Sequence, residues 1–175
     1  MKRAIERLFG VEARVVEAAD TGLEVLIDNP REAGADRLVN AVGALAYPSP
    51  TGRYIVVDFG TATTFDLVEA PNRYLGGAIA IGPQTAADAL AQRTAKLPRI
   101  DLTPPKAAVG KNTLEALRSG LVEGMVRRFK EEAGEALVIA TGGFAETLRP
   151  LCPCFDVVDE DLTLKGLLRI HLERG

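Results

Sequence analysis

Residues 54–66 read Tyr-Ile-Val-Val-Asp-Phe-Gly-Thr-Ala-Thr-Thr-Phe-Asp, and the rest of the chain arranges itself around them. The β-branched run Ile55-Val56-Val57 predicts a buried strand, because such side chains suit a pleated, packed surface. That run ends on an acid, Asp58. Gly60-Thr61 then predicts a tight turn, and Ala62-Thr63-Thr64-Phe65 a returning strand. Free backbone N–H groups and hydroxyls beside a carboxylate form a natural cradle for phosphate and a cation. An ordinary β-hairpin with a polar tip is the competing reading.

Downstream, strands are expected at Thr63–Glu69 and Tyr74–Ile79, joined through Pro71-Asn72-Arg73. Gly76-Gly77 inside the third strand implies close approach of backbone or ligand. A helix from about Thr85 to Arg93 follows, then a proline-bearing loop from Leu97 to Pro105. Gly110-Lys111-Asn112-Thr113 leads into a long helix carrying Leu114, Leu117, Leu121, Val122, Met125 and Phe129. Ala136–Ala140 predicts a buried strand ending in Thr141-Gly142-Gly143. A short helix, a strand at Phe155–Val158 and a closing helix from about Asp161 complete the chain. The order β-β-β-α-β-α-β-α predicts an α/β domain at 51–175, a ribonuclease H-like mixed sheet of five strands.

Upstream, residues 2–9 predict a short helix, and Val11–Ala18 and Leu23–Ile27 two strands. Too little is there to bury a core, so residues 1–50 read as the tail of a preceding domain. A polar loop, Asp28 to Arg37, enters a helix with Leu38, Val39, Ala41, Val42 and Leu45 as its stripe. Asp36 falls at the helix start, where the macrodipole favours a carboxylate; as an N-cap it would need no other role. Tyr47-Pro48-Ser49-Pro50-Thr51-Gly52 is the best linker in the chain.

A 175-residue chain with net charge −3 and 47% hydrophobic residues has enough material for a real core. It lacks the basic face of a non-specific nucleic-acid or membrane-surface binder. No apolar run approaches the roughly 20 residues of a membrane span. The start of the chain has no secretory pattern, so a cytoplasmic location is expected. Cys152 and Cys154 are too close in sequence for ordinary disulfide geometry, and lone His171 completes no metal site.

Seven colinear stretches carry a resemblance: Asn29–Ala41 (NPREAGADRLVNA), Val56–Asp66, Tyr74–Ala80 (YLGGAIA), Leu90–Pro98 (LAQRTAKLP), Gly110–Thr113, Ala140–Gly143 and Asp161–Leu167 (DLTLKGL). Together they resemble the type III pantothenate kinases of coenzyme A synthesis, members of the superfamily of acetate kinase, sugar kinases, Hsp70 and actin. The resemblance implies ATP-dependent phosphorylation of pantothenate to 4'-phosphopantothenate, with Mg2+ and an activating monovalent cation, K+ or NH4+, in a homodimer. It implies Asp36 as the general base and Gly34, Ala35, Asp36, Arg37 and Thr113 as the pantothenate site. Asp58 matches the ligand of the monovalent cation and Thr61 the contact to ATP phosphate. Positioning matters more than base strength in such phosphoryl transfer.

The same family begins with a strand and an Asp-x-Gly-Asn-Thr phosphate loop, and nothing like it precedes residue 23. Ile27 and Ile81 stand where tyrosine and proline are usual. Two readings therefore stay open: a pantothenate kinase, or a non-catalytic homologue that pairs with a partner. A nuclease built on Asp58 and Asp66 is disfavoured, since two-metal chemistry needs more converging carboxylates.

Overall fold

Strand β2 (Arg53–Phe59) is the spine of the computed structural model, which describes residues 2–93, 111, 129–132 and 134–174. It pairs antiparallel with β3 (Ala62–Glu69) and parallel with β5 (Leu137–Thr141). Adding β1 (Glu24–Val25), β4 (Arg73–Ile81) and β6 (Val157–Val158) gives a six-stranded mixed sheet in the order β1-β4-β3-β2-β5-β6.

Because β2 is central, both of its faces are buried, which explains its unbroken apolar run. Tyr54 and Val56 pack with Val68, Tyr74, Ile139, Leu38 and Leu162 on one face. Ile55, Val57 and Phe59 pack with Phe65, Val138, Ala140 and Leu148 on the other. Phe155 joins that second face with its ring 5.8 Å from Phe59, as does Phe129, whose ring lies 5.9 Å from Phe65.

The first face is covered by α2 (Ala35–Ala44) and α5 (Leu162–Arg174), which pack on each other. Their contact is backbone to backbone. A Cβ placed on Gly166 would stand 2.1 Å from the Val39 carbonyl oxygen, and one on Gly43 2.6 Å from that of Leu162. A polar tie closes the far end, where the Tyr47 hydroxyl donates to Asp159 Oδ2 at 2.5 Å and Lys165 Nζ donates to the same oxygen at 2.9 Å.

The sheet has six strands rather than the expected five. The sixth is the short segment Glu24–Val25, which pairs parallel with Arg73-Tyr74 and so covers the beginning of the outer edge of β4. The Leu26 N–H continues the ladder to the Tyr74 carbonyl at 2.8 Å. The strand expected at Val11–Ala18 does not form. Asp20 draws that segment back locally, accepting from the Glu17 N–H and the Arg14 guanidinium, and Ala18–Asp20 becomes one 3-10 turn.

The remaining helices are α1 (Lys2–Phe9), none of whose residues is buried, α3 (Pro83–Arg93) and α4 (Ala145–Leu148). The predicted loop 97–105 and the body of the long helix after Thr113 lie outside the described residues. Among the described residues no helix is long and apolar enough to cross a membrane.

Candidate functional site

Three residues of α2 reach the end of the sheet from which the β2–β3 turn projects. Asp36 is the second residue of the helix and is solvent-exposed. The N-cap is Gly34, not Asp36, so the carboxylate is free for another role while keeping the favourable end of the helix dipole. Its Oδ1 accepts the Arg37 N–H at 2.9 Å. The space beside Gly34 is taken by this carboxylate, since a Cβ there would lie 2.6 Å from Oδ1.

Arg37 turns the other way, toward β3. Its Nε and Nη2 donate to Asp66 Oδ1 at 2.9 and 2.6 Å. The Tyr74 hydroxyl donates to the same oxygen at 2.6 Å, and Thr64 Oγ1 donates to Oδ2 at 3.3 Å. Asp66 is fully buried, with about 1% of its side chain exposed. Burial, and then the neighbouring charge of Asp66, push the Tyr74 hydroxyl well above its usual pKa. The second glycine of the β4 pair fits closely here: a Cβ on Gly77 would meet the Phe65 carbonyl oxygen at 2.0 Å, Arg37 Nη2 at 2.6 Å and Asp66 Oδ1 at 2.8 Å.

One turn further along α2, buried Asn40 donates from Nδ2 to Asp58 Oδ2 at 2.9 Å and accepts from Thr163 Oγ1 at 2.5 Å. Burial raises the proton affinity of Asp58; the Asn40 amide opposes this, while the charges of Asp36 and Asp66 add to it. No lysine or arginine among the described residues pairs with Asp58. Its other oxygen, Oδ1, faces Gly142, where a Cβ would stand 2.4 Å away. A half-buried carboxylate without a cationic partner, against a turn stripped of side chain, fits a bound cation. Among the described residues no three acidic, histidine or cysteine side chains gather as a metal cluster.

Thr61 is exposed at the tip of the turn. The turn is pinned from behind, its Thr61 carbonyl accepting the Gly82 N–H at 3.1 Å and Thr85 Oγ1 at 2.8 Å. Asp36, Arg37 and Asp58 thus share one sheet face, with Gly60-Thr61 at its end. Thr113 lies outside the described residues. Asn40, Tyr74 and Thr163 are participants that sequence reasoning missed. Asp66, weighed there as a metal-binding acid, instead partners Arg37. One signal was available: in a hairpin turning at Gly60-Thr61, residues 58 and 66 have the same parity and face the same side.

A family model of type III pantothenate kinases matches residues 1–132. Type III pantothenate kinases from two strains of Thermus thermophilus are each 96% identical over 182 residues, spanning 100% of this chain and 72% of theirs. Those 182 positions exceed the 175 residues present, so the relatives carry residues within the span that this chain lacks. The Deinococcus radiodurans type III pantothenate kinase is 46% identical over 181 residues, 98% of this chain and 69% of that one. A crystal structure from Campylobacter jejuni, described as a proposed Baf family transcriptional activator, shares the fold: TM-score 0.65 at 23% identity, over 90% of this chain and 72% of that one. This chain belongs to the type III pantothenate kinase family.

Proposed function

We propose that this chain is a pantothenate kinase, transferring the γ-phosphoryl group of ATP to the primary hydroxyl of pantothenate in coenzyme A biosynthesis. One observation carries the reading: a family-matched helix carries an exposed carboxylate, Asp36, whose charge acts on Asp58, a carboxylate with no cationic partner among the described residues, at the end of the sheet that bears the Gly60-Thr61 turn. Asp36 is the base that takes the hydroxyl proton. Gly34, Ala35, Arg37 and Thr113 form the pantothenate site, and the fixed charge of Arg37 suits the carboxylate of that substrate.

Thr61 and the turn's backbone would meet ATP phosphates, and Asp58 would hold K+ or NH4+. Bound with the nucleotide, Mg2+ would supply charge neutralisation at the phosphates. The sheet is read as ribonuclease H-like, with order β4-β3-β2-β5-β6 as its unit and β1 added at the edge. Residues 1–50 are read as the end of a first such domain, and the protein as a cytoplasmic homodimer. Near-identity to named kinases disfavours the non-catalytic alternative.

The test is pantothenate-dependent ADP formation by the purified chain with Mg2+ and either K+ or NH4+ present. Turnover that requires pantothenate and falls when Na+ replaces K+ supports the reading. ADP formation indifferent to pantothenate refutes it.

A further inference from the structure

Asp66 is the most completely buried charge described in the chain, and a stability argument does not account for it. Taking a carboxylate and a guanidinium out of water costs several kcal/mol each, and well-packed apolar residues in their place are often neutral or better. Aliphatic residues line the same face at Val56, Val68 and Ile139, so an apolar residue at 66 would suit its surroundings. The ion pair is therefore kept for what it positions.

What it positions is Arg37. Three donors converge on one oxygen, Asp66 Oδ1: Arg37 Nε, Arg37 Nη2 and the Tyr74 hydroxyl. The guanidinium carbon lies 5.9 Å from the Tyr74 ring centroid, and Gly77 clears the strand beneath it. Meanwhile the backbone N–H of the same residue holds Asp36 Oδ1 at 2.9 Å. Arg37 thus grips the buried acid with its side chain and the exposed acid with its main chain. Only 15% of the Arg37 side chain remains exposed.

We propose that Asp66 and Tyr74 are positioning residues: they lock Arg37 as a fixed cation and, through it, hold Asp36 at its place on the first turn of α2. The inference deepens the kinase reading and rests on it for the identity of the substrate. A flexible arginine would lose side-chain freedom on meeting an anionic substrate, whereas this one is ordered when the chain folds.

Tyr74→Phe removes one donor and keeps the ring. Asp66→Asn keeps the volume and removes the charge. With Asp66→Asn, KM for pantothenate should rise about tenfold and kcat fall with it, while KM for ATP stays within about twofold. Tyr74→Phe should shift pantothenate KM in the same direction by about threefold, with far-UV circular dichroism unchanged. Arg37→Ala should be partly rescued by added guanidinium ion, and the rescue should vanish in the Arg37→Ala, Asp66→Asn double variant.

A readout independent of turnover is the Arg37 Nε–H proton by NMR, slow to exchange in the parent and fast in Asp66→Asn. Equal rises in both KM values, rescue that survives loss of Asp66, or unchanged exchange at Arg37 would each overturn the inference. Absence of any pantothenate turnover by the parent would overturn the kinase reading instead. The exchange measurement would then still decide whether Asp66 fixes Arg37.

Discussion

Gly166→Ala is the substitution whose sign the structure fixes against propensity. In a solvated helix, alanine is favoured over glycine by about 1 kcal/mol. Gly166, however, lies within α5 where it crosses α2, and a Cβ there would stand 2.1 Å from the Val39 carbonyl oxygen against an ordinary contact of at least 3.4 Å. Relief requires the helices to part by about 1.3 Å, the difference between those distances. The atom in the way is backbone, so no side-chain rotation removes it. Overpacking of this kind costs about 1–3 kcal/mol, and the upper end applies. Net of the propensity gain, a loss of about 2 kcal/mol remains, which lowers Tm by about 4–8 °C in a chain of this size. Calorimetry of the variant measures it directly, with Gly143→Ala as control because open space surrounds that position. The same displacement moves α2 with Asp36, Arg37 and Asn40, so kcat should fall as well. A Gly166→Ala protein as stable as its parent would refute the packing argument.

Asp36→Asn should cost no more than about 1 kcal/mol of stability, the helix-dipole contribution of an exposed carboxylate at the start of α2, while lowering kcat by about 10²–10⁴-fold, the usual contribution of a general base. Asp58→Asn should raise Tm at neutral pH without added K+, since burial disfavours the charge it removes, and should abolish the extra stabilisation that K+ gives over Na+; a fall in Tm would count against this account of Asp58. Asp159 is held below the usual carboxylate range: burial raises its pKa, but hydrogen bonds from Tyr47, Lys165 and the Asp161 N–H outweigh it. A lowered folded-state pKa means that its stabilisation is complete above the unfolded value, about 3.9, and is lost as pH falls through the folded one. The Tm difference between parent and Asp159→Asn should therefore be largest above about pH 5 and close progressively in acid; a difference independent of pH would refute it.

The central strands were legible because their side chains are β-branched and their ends carry turn residues, so Ile55–Val57, Phe65–Val68 and Val138–Ala140 announce themselves. Strand β1 was not. Its two residues join the sheet only because β4 offers an open edge, and nothing local to Glu24-Val25 records that partner. Val11–Ala18 misled for the converse reason: loose alternation suggests a strand, but Asp20 satisfies the backbone nearby. At the site, Asp36 and Asp58 could be matched by motif, whereas the partnerships could not. Arg37 reads as a free anion receptor until the register sets Asp66 and Gly77 beneath it, and Asn40 reads as one more residue of α2 until Thr163, 123 positions away, turns its amide toward Asp58.

The two inward-facing acids of the hairpin also constrain how the chain can be misassembled. Side chains alternate across a strand, so a slip of one residue sends every one to the opposite face. Shifted in this way, Asp58 and Asp66 would leave Asn40 and Arg37 and enter the aromatic layer of Phe59, Phe65 and Phe155. Two unpaired carboxylates in that layer would cost several kcal/mol apiece. An all-aliphatic hairpin would tolerate the slip far better. The residues that equip the site therefore also proofread the sheet, penalising a one-residue slip before the molecule can settle into it.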